Sequence, residues 1–312
     1  MNNILPSQND LEELIFDMSK MVWNIQILKS DIDNWLMHFD GSYLNDEQLE
    51  HRVALLLLSN YVHYNIDEVR FLCKKTFKKF IHFALEHSNE KHTNLNDISI
   101  KIVDETVFIP IGNPSESGSN LLYYYRQENM IPKNRFYFDS DVNIENSKNI
   151  VFIDDVSLSG TQVVKYFETN KSKFIGKKIF FTPLILTSNA KQYIEEELVI
   201  KYNLDFVLLP GILLDEREQV FSNKSYIFGD DFKLMNVVKG FVEFYSDKFT
   251  FRNPFGYNNC QLALGFFYNI PNNTLPIFWA NTDRYSGIFK RSSKVYGDNF
   301  KGVNYYDKHR FV

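Results

Sequence analysis

Residues 149–162, Asn-Ile-Val-Phe-Ile-Asp-Asp-Val-Ser-Leu-Ser-Gly-Thr-Gln, constrain the fold of this chain more than any other stretch. Ile150–Ile153 is a continuous apolar run, β-branched and too short for a helix, which is how a strand buried on both faces reads. Two carboxylates, Asp154 and Asp155, follow at once. A small hydroxyl-rich turn comes next, Ser157, Ser159, Gly160 and Thr161, and then an amphipathic run from Gln162 to about Phe167. Strand, acidic pair, turn and helix start in that order predict an open parallel sheet. In such sheets ligands bind beyond the carboxyl ends of the strands, where Asp154 and Asp155 fall.

The residue types suit one kind of ligand. Adjacent carboxylates accept hydrogen bonds from two vicinal hydroxyls, or hold a hydrated Mg²⁺. The turn offers backbone N–H groups, unobstructed at Gly160, and the helix N-terminus behind it adds partial positive charge. A sugar diol and a phosphate at this spacing describe a ribose 5-phosphate. The same residues also suit a plain strand whose helix is capped by Asp155 or Ser159.

The segment Ile150–Thr161 resembles the phosphoribosyl-pyrophosphate motif of type I phosphoribosyltransferases: an apolar strand, two acidic residues, two variable residues and a Thr/Ser-Gly-Thr-like loop. The resemblance implies that Asp154 and Asp155 bind the ribose hydroxyls and the metal. It implies that Ser157, Leu158, Ser159, Gly160 and Thr161 hold the 5-phosphate. Where some family members carry a general-base carboxylate this chain has Leu158, a departure from the purine-salvage pattern.

The rest of the chain supports an α/β fold. From about Asp10 to Ser88 apolar residues recur at helical spacing, as in Leu11, Leu14, Ile15, Met18 and in Val69, Leu72, Cys73, Phe77, Phe80. This N-terminal helical layer is expected to cover the sheet or to form an oligomer surface. His38, His51, His63, His82 and His87 lack metal-ligand spacing and read as solvated or capping residues. Lys74, Lys75, Lys78 and Lys79 form a basic stripe, read as a solvated face. Strand and helix then alternate: Val107–Ile111, a helix over 121–129, Ile150–Asp155, a helix to about Asn170, Lys178–Leu186, Ala190–Lys201 and Phe206–Leu209. The series implies a parallel sheet with right-handed crossovers. The expected organisation is a helical region over 1–95, a phosphoribosyltransferase-like α/β core over 96–235 and a loop-rich cap over 236–312.

The loop Gly112-Asn-Pro-Ser-Glu-Ser-Gly-Ser-Asn120 lies on the same rim. Ser117, Gly118 and Ser119 suit a pyrophosphate cradle, or a plain Ser N-cap. Arg126, two turns into the following helix, is a candidate charge clamp or a solvated side chain. Residues 131–148, with Lys133 and Arg135, occupy the place of the family's mobile catalytic loop.

Composition narrows the partners. A net charge of −5 gives no reason to expect nucleic-acid binding, and two distant cysteines, Cys73 and Cys260, fit a reducing cytoplasm with no disulfide framework. No secretory leader or membrane span is expected. In the C-terminal region Asn272, Asn273, Thr274 and Trp279 suit recognition of a base, or turns anchored by a buried Trp. Together with Trp35, Phe39, the Tyr-Tyr-Tyr-Arg126 run, Asn253-Pro-Phe-Gly-Tyr257 and Pro271–Trp279, the chain resembles phosphoribosyltransferase-like proteins of bacterial conflict systems, including some beside retron reverse transcriptases. That resemblance implies an anti-phage effector using phosphoribosyl pyrophosphate or a related nucleotide-like molecule with Mg²⁺. Its implied partners are a reverse transcriptase–nucleic acid complex, another defence protein or a second copy of itself. A non-catalytic ribose-phosphate sensor that gates a partner is the alternative. A structural partner of a nucleoprotein complex, using the Lys74–Lys79 stripe, is a third.

Overall fold

Four amphipathic helices open the chain, but only the last lays its apolar face on the sheet. The computed structural model describes residues 5–88, 94–111, 117–137 and 147–291, with the backbone alone for 117–120. The first three helices are α1 (Gln8–Met21), α2 (Lys29–Leu36) and α3 (Glu47–Ser59). Ser7 caps α1 in a reciprocal box with Asp10, which satisfies N–H groups that the helix cannot pair internally. Their inward faces, Leu11, Ile15, Ile32, Trp35, Val53 and Leu57, join a core whose other half comes from residues 220–289, including Val238, Phe241, Leu275 and Phe278. The first three helices therefore cover the C-terminal region rather than the sheet, and of the expected N-terminal layer only the fourth helix covers the sheet. Glu50 secures this core: its buried carboxylate accepts from the N–H groups of Gly41, Tyr43 and Leu44 and from the Tyr245 hydroxyl.

Strand β1 (Val62–Tyr64) leads into α4 (Ile66–Glu86) and α5 (Leu95–Asp104). Neither β1 nor α5 is marked by the periodicity analysis. The sheet follows, with β2 (Thr106–Pro110), β3 (Asn149–Ser157), β4 (Lys178–Thr187) and β5 (Phe206–Leu208) side by side in that order, all parallel. Strand β6 (Ile212–Leu214) extends the sheet along the far end of β4, where the sequence shows no clear period. Helix α6 (Ser117–Asn129) joins β2 to the next segment, α7 (Thr161–Asn170) joins β3 to β4, and α8 (Ser188–Ile194) follows β4, continuing as a π-helical stretch over Glu195–Lys201.

The two faces of the sheet are covered by different helices. Val151, Ile153 and Phe180 pack with α4, α5 and α6; Ile150, Phe152 and Phe181 pack with α7 and α8. The chain thus winds both ways from the middle. After α6 it returns to the outer edge of β2, where Phe136 bridges Phe108 and the Tyr137 N–H donates to the Phe108 carbonyl. After α7 it advances the other way, to β4. The winding direction reverses between β2 and β3, and that is where an open α/β sheet leaves a crevice at its carboxyl edge.

Beyond the sheet come α9 (Phe232–Lys248), β7 (Leu264–Phe266), which pairs in parallel with β1, and a small hairpin of β8 (Asn281–Thr282) and β9 (Tyr285–Ser286). Among the described residues no helix is long and apolar enough to cross a membrane. Cys73 and Cys260 are both buried free thiols, and burial raises the Cys73 pKa to about 12. His63, expected to be solvated or capping, is instead 7% exposed, between Trp23 and Phe289. Burial lowers its pKa to about 4, so it packs as a neutral ring.

Candidate functional site

Strand β2 stops at Pro110, opposite Ile153, while β3 runs on to Ser157. The overhang carries Asp154 and Asp155 past the end of the neighbouring strand, to the mouth of the crevice between β2 and β3. Both are buried, at 7% and 6% exposure.

The backbone there is not a regular ladder. Val151 and Ile153 face one side of the sheet, as alternation requires, but Val156 and Leu158 pack on that same side. The phase slips between Ile153 and Val156, at the acidic pair. Strand β4 slips in step, since Leu184 and Ile185 both pack on that side. Pro183 pairs with Asp154 and has no N–H to give to the ladder. The carboxylates take up local donors: Asp154 Oδ1 accepts from the Asp155 N–H at 2.9 Å, and Asp155 Oδ1 from the Val156 N–H at 2.8 Å. The Tyr268 hydroxyl, from the C-terminal region, donates to Asp155 Oδ2 at 3.2 Å. Burial, and then the charge of Asp155, pushes the Tyr268 phenol well above its ordinary range and keeps it a donor. Nothing local in the sequence marks Tyr268, since its contact spans more than a hundred residues.

The turn after the pair is held from two sides. Leu158 is 4% exposed and packs in the core, so only its backbone faces the turn. Its carbonyl accepts from Thr187 Oγ1 at 2.9 Å and contacts Cys260 Sγ at 3.6 Å. Gly160 caps α7 with φ +73°, a left-handed conformation that favours glycine. A Cβ there would lie 3.1 Å from the Ala190 carbonyl oxygen and from side-chain atoms of Tyr193 and Ile194. The close approach that glycine permits at this position is to α8. Asp155 does not cap α7, and Gly160 at the cap position has no side chain to offer, but the Ser159 hydroxyl accepts the Thr161 N–H at 3.5 Å. A helix leaves its first N–H groups without internal partners, and those after Thr161 remain as donors beside the half-buried Ser159. Asn258 Nδ2 approaches Thr161 Oγ1 at 3.4 Å from the C-terminal side.

The other expected groups are placed as follows. Residues 112–116 lie outside the described residues. Ser117, Gly118 and Ser119 form the first turn of α6, which starts four residues earlier than the expected helix, and this turn leaves the same rim of the sheet. Arg126 sits nine residues further on, roughly 13 Å along the helix axis. Its guanidinium lies 5.8 Å from the centre of the Tyr123 ring. Of the lid segment, residues 138–146 lie outside the described residues. Lys133 and Arg135 form a short 3-10 turn, with Arg135 paired to Asp104 at 2.8 Å. The Lys74–Lys79 stripe is not simply solvated: Lys74 pairs with Glu128 at 2.9 Å, and Lys79 donates to the Pro210 carbonyl. Asn273, Thr274 and Trp279 hold turns together. Asn273 donates to the Tyr257 carbonyl, Thr274 to the Leu264 carbonyl and Trp279 to the Thr274 carbonyl, with Arg291 over the Trp279 ring.

Among the described residues no three His, Cys, Asp or Glu side chains cluster to hold a metal. Two adjacent carboxylates nevertheless suit Mg²⁺, which takes one or two protein carboxylates and fills its shell with water and substrate oxygens.

Comparison with known proteins agrees with this layout. The model of one protein family, PRTase-CE, matches residues 32–291, which spans the described sheet, the acidic pair and the Tyr268 loop. No curated protein matches the chain.

Proposed function

We propose that this chain, which belongs to the PRTase-CE family and so to the phosphoribosyltransferase-like proteins, binds phosphoribosyl pyrophosphate or a related ribose phosphate and transfers or cleaves its phosphoribosyl group. One observation carries the reading. Two buried carboxylates overhang the sheet where its winding reverses, and the N-terminus of α7, entered through Gly160, follows six residues after Asp155. Asp154 and Asp155 accept the ribose hydroxyls, and Tyr268 fixes the orientation of Asp155. The N–H groups and hydroxyls of residues 157–161 take the 5-phosphate, and the first turn of α6 faces the pyrophosphate. Asp154 and Asp155 would hold Mg²⁺, which would supply positive charge against the leaving group. Position 158 is a leucine, with no group that takes a proton, so the turn offers no general-base carboxylate there. Rate enhancement then comes from fixing the donor and stabilising charge on the departing pyrophosphate.

Isothermal titration of phosphoribosyl pyrophosphate with Mg²⁺, alongside a pyrophosphate-release assay, tests this on wild type and on Asp154→Asn/Asp155→Asn. Binding with release, both lost in the well-folded double variant, is expected. Undiminished binding in that variant refutes the site assignment. The absence of a carboxylate at Leu158 also favours the sensor reading, in which wild type binds, releases nothing and gates a partner. The setting implied by sequence resemblance is a bacterial anti-phage system with a reverse transcriptase–nucleic acid complex or another defence protein as partner. Unchanged phage protection by Asp155→Asn in the native locus would remove the site from that role.

A further inference from the structure

Residues 253–261 form a tight loop against the turn that follows the acidic pair. Five of the nine hold a positive φ, between +54° and +78°: Asn253, Gly256, Asn258, Asn259 and Gln261. Left-handed backbone is unfavourable outside glycine, asparagine bears it best of the rest, and such conformations gather where a chain is held for function. The loop is fixed from within and from behind. The Gln261 N–H donates to the Phe255 carbonyl and the Tyr257 N–H to the Asn272 carbonyl, both at 2.8 Å. The buried Asn273 amide donates to the Tyr257 carbonyl at 3.1 Å and to Cys260 Sγ at 3.2 Å. A Cβ at Gly256 would collide with the Asn273 carbonyl, so the two segments lie in direct contact.

The contacts of this loop sort the polar atoms of the turn by sign. Phosphate oxygens only accept hydrogen bonds, so a turn that binds them must present donors and occupy its own lone pairs elsewhere. The Leu158 carbonyl is occupied: Thr187 Oγ1 donates to it at 2.9 Å, and Cys260 Sγ lies 3.6 Å away. Burial raises the Cys260 pKa, so the thiol keeps its proton as a donor. The Gly160 carbonyl accepts the Val164 N–H inside α7 at 3.0 Å. On the outer side the exposed Asn258, left-handed at φ +54° and ψ +27°, donates through Nδ2 to Thr161 Oγ1 at 3.4 Å. A hydroxyl that accepts from an amide has its own proton free to point elsewhere, and Thr161 is exposed in the first turn of α7.

We propose, building on the ribose-phosphate site, that Asn258 is a positioning residue of the phosphate turn: by donating to Thr161 it directs the Thr161 hydroxyl proton to the 5-phosphate. Residues 253–261 then complete the phosphate end of the site from the C-terminal region, as Tyr268 does the ribose end at Asp155.

The test is titration of phosphoribosyl pyrophosphate with Mg²⁺ into the full chain. Asn258→Gly removes the amide and leaves a residue at ease with this backbone, so the loop is expected to keep its shape. It should weaken binding by roughly three- to tenfold, as the loss of one aligned hydrogen bond does. Asn258→Asp tolerates the same backbone, but its carboxylate only accepts. It takes the Thr161 proton that the phosphate needs and sets a negative charge beside the anion. It should weaken binding more than Asn258→Gly, and the excess should shrink as salt rises. In a Thr161→Val background Asn258→Gly should have no further effect, because the hydroxyl it directs is gone. A role confined to loop structure would leave Asn258→Asp close to wild type and would persist in the Thr161→Val background. Either result overturns the assignment, as does wild-type affinity in Asn258→Gly. No binding by wild type removes the ribose-phosphate site itself and this role with it, whereas wild-type binding with indifferent Asn258 variants removes this role alone.

Discussion

Gly160→Ala isolates what glycine does in the turn. Two costs add at this position. A φ of +73° places a Cβ against its own backbone, worth about 1–2 kcal/mol for a non-glycine residue. The new methyl would also sit 3.1 Å from the Ala190 carbonyl oxygen, Tyr193 Cδ1 and Ile194 Cγ1, a few tenths of an ångström inside comfortable contact on three sides. Overpacking of this kind costs about 1–3 kcal/mol. The stiffer unfolded chain returns about 0.4–1 kcal/mol. The expected net loss is about 2 kcal/mol in urea unfolding with an unchanged m-value. Gly176 supplies the internal control: its φ is +74°, but a Cβ there meets nothing within 4 Å, so Gly176→Ala carries the backbone cost alone. The difference between the two variants is the packing against α8. If both lose the same stability, or if Gly160→Ala loses less than about 0.5 kcal/mol, the turn is not wedged against α8 as described. Ile194→Ala removes one of the three contacts, and in that background the Gly160→Ala penalty should shrink.

Tyr268→Phe deletes the hydroxyl that donates to Asp155, a hydrogen bond to a charged acceptor worth about 1.5–3 kcal/mol. The bond exists before any donor binds, so the thermal midpoint should fall by several degrees, and calorimetry should show donor binding weakened; equal affinity would detach Tyr268 from the site. Buried His63 sets a pH dependence. Its folded pKa of about 4 lies below the usual 6.5, so the unfolded chain takes up the proton first. Its contribution to stability is complete above pH 6.5 and is lost as pH falls toward 4, about 3 kcal/mol in all. Unfolding series at pH 7, 5.5 and 4.5 on wild type and His63→Phe measure it, and identical slopes in the two would rule His63 out.

The sheet is legible in the sequence because each strand is locally over-determined. Ile150–Ile153 and Lys178–Leu186 are apolar on both faces, and helical spacing follows each of them. What escaped sequence reading is decided between distant segments. Strands β1 and β7 have three residues each and exist because they pair with one another. Strand β6 is equally short and takes its register from β4. Apolar spacing identifies α1 as amphipathic without saying what it faces, and its partner proves to be the C-terminal region. The acidic pair was legible as a motif, but the phase slip that seats it was not. Pro183 is its one sequence trace, a proline inside an otherwise buried strand, and its meaning depends on standing opposite Asp154. His63 shows the converse: among scattered histidines nothing local separates the ring buried between Trp23 and Phe289 from the others.

The shared core of the N-terminal helices and residues 220–289 has a consequence for synthesis. Leu11, Trp35 and Leu57 leave the ribosome long before Val220, Phe241 and Phe278, the side chains against which they will be buried. The 159 residues between Tyr61 and Val220 take roughly 8–30 s to translate at about 5–20 residues per second. For that interval three helices carry an apolar face with no native cover, while the strands of the α/β sheet behind them are made and completed. These three helices, made before the sheet, are thus completed after it, and a holdase chaperone has its longest opportunity on their exposed faces.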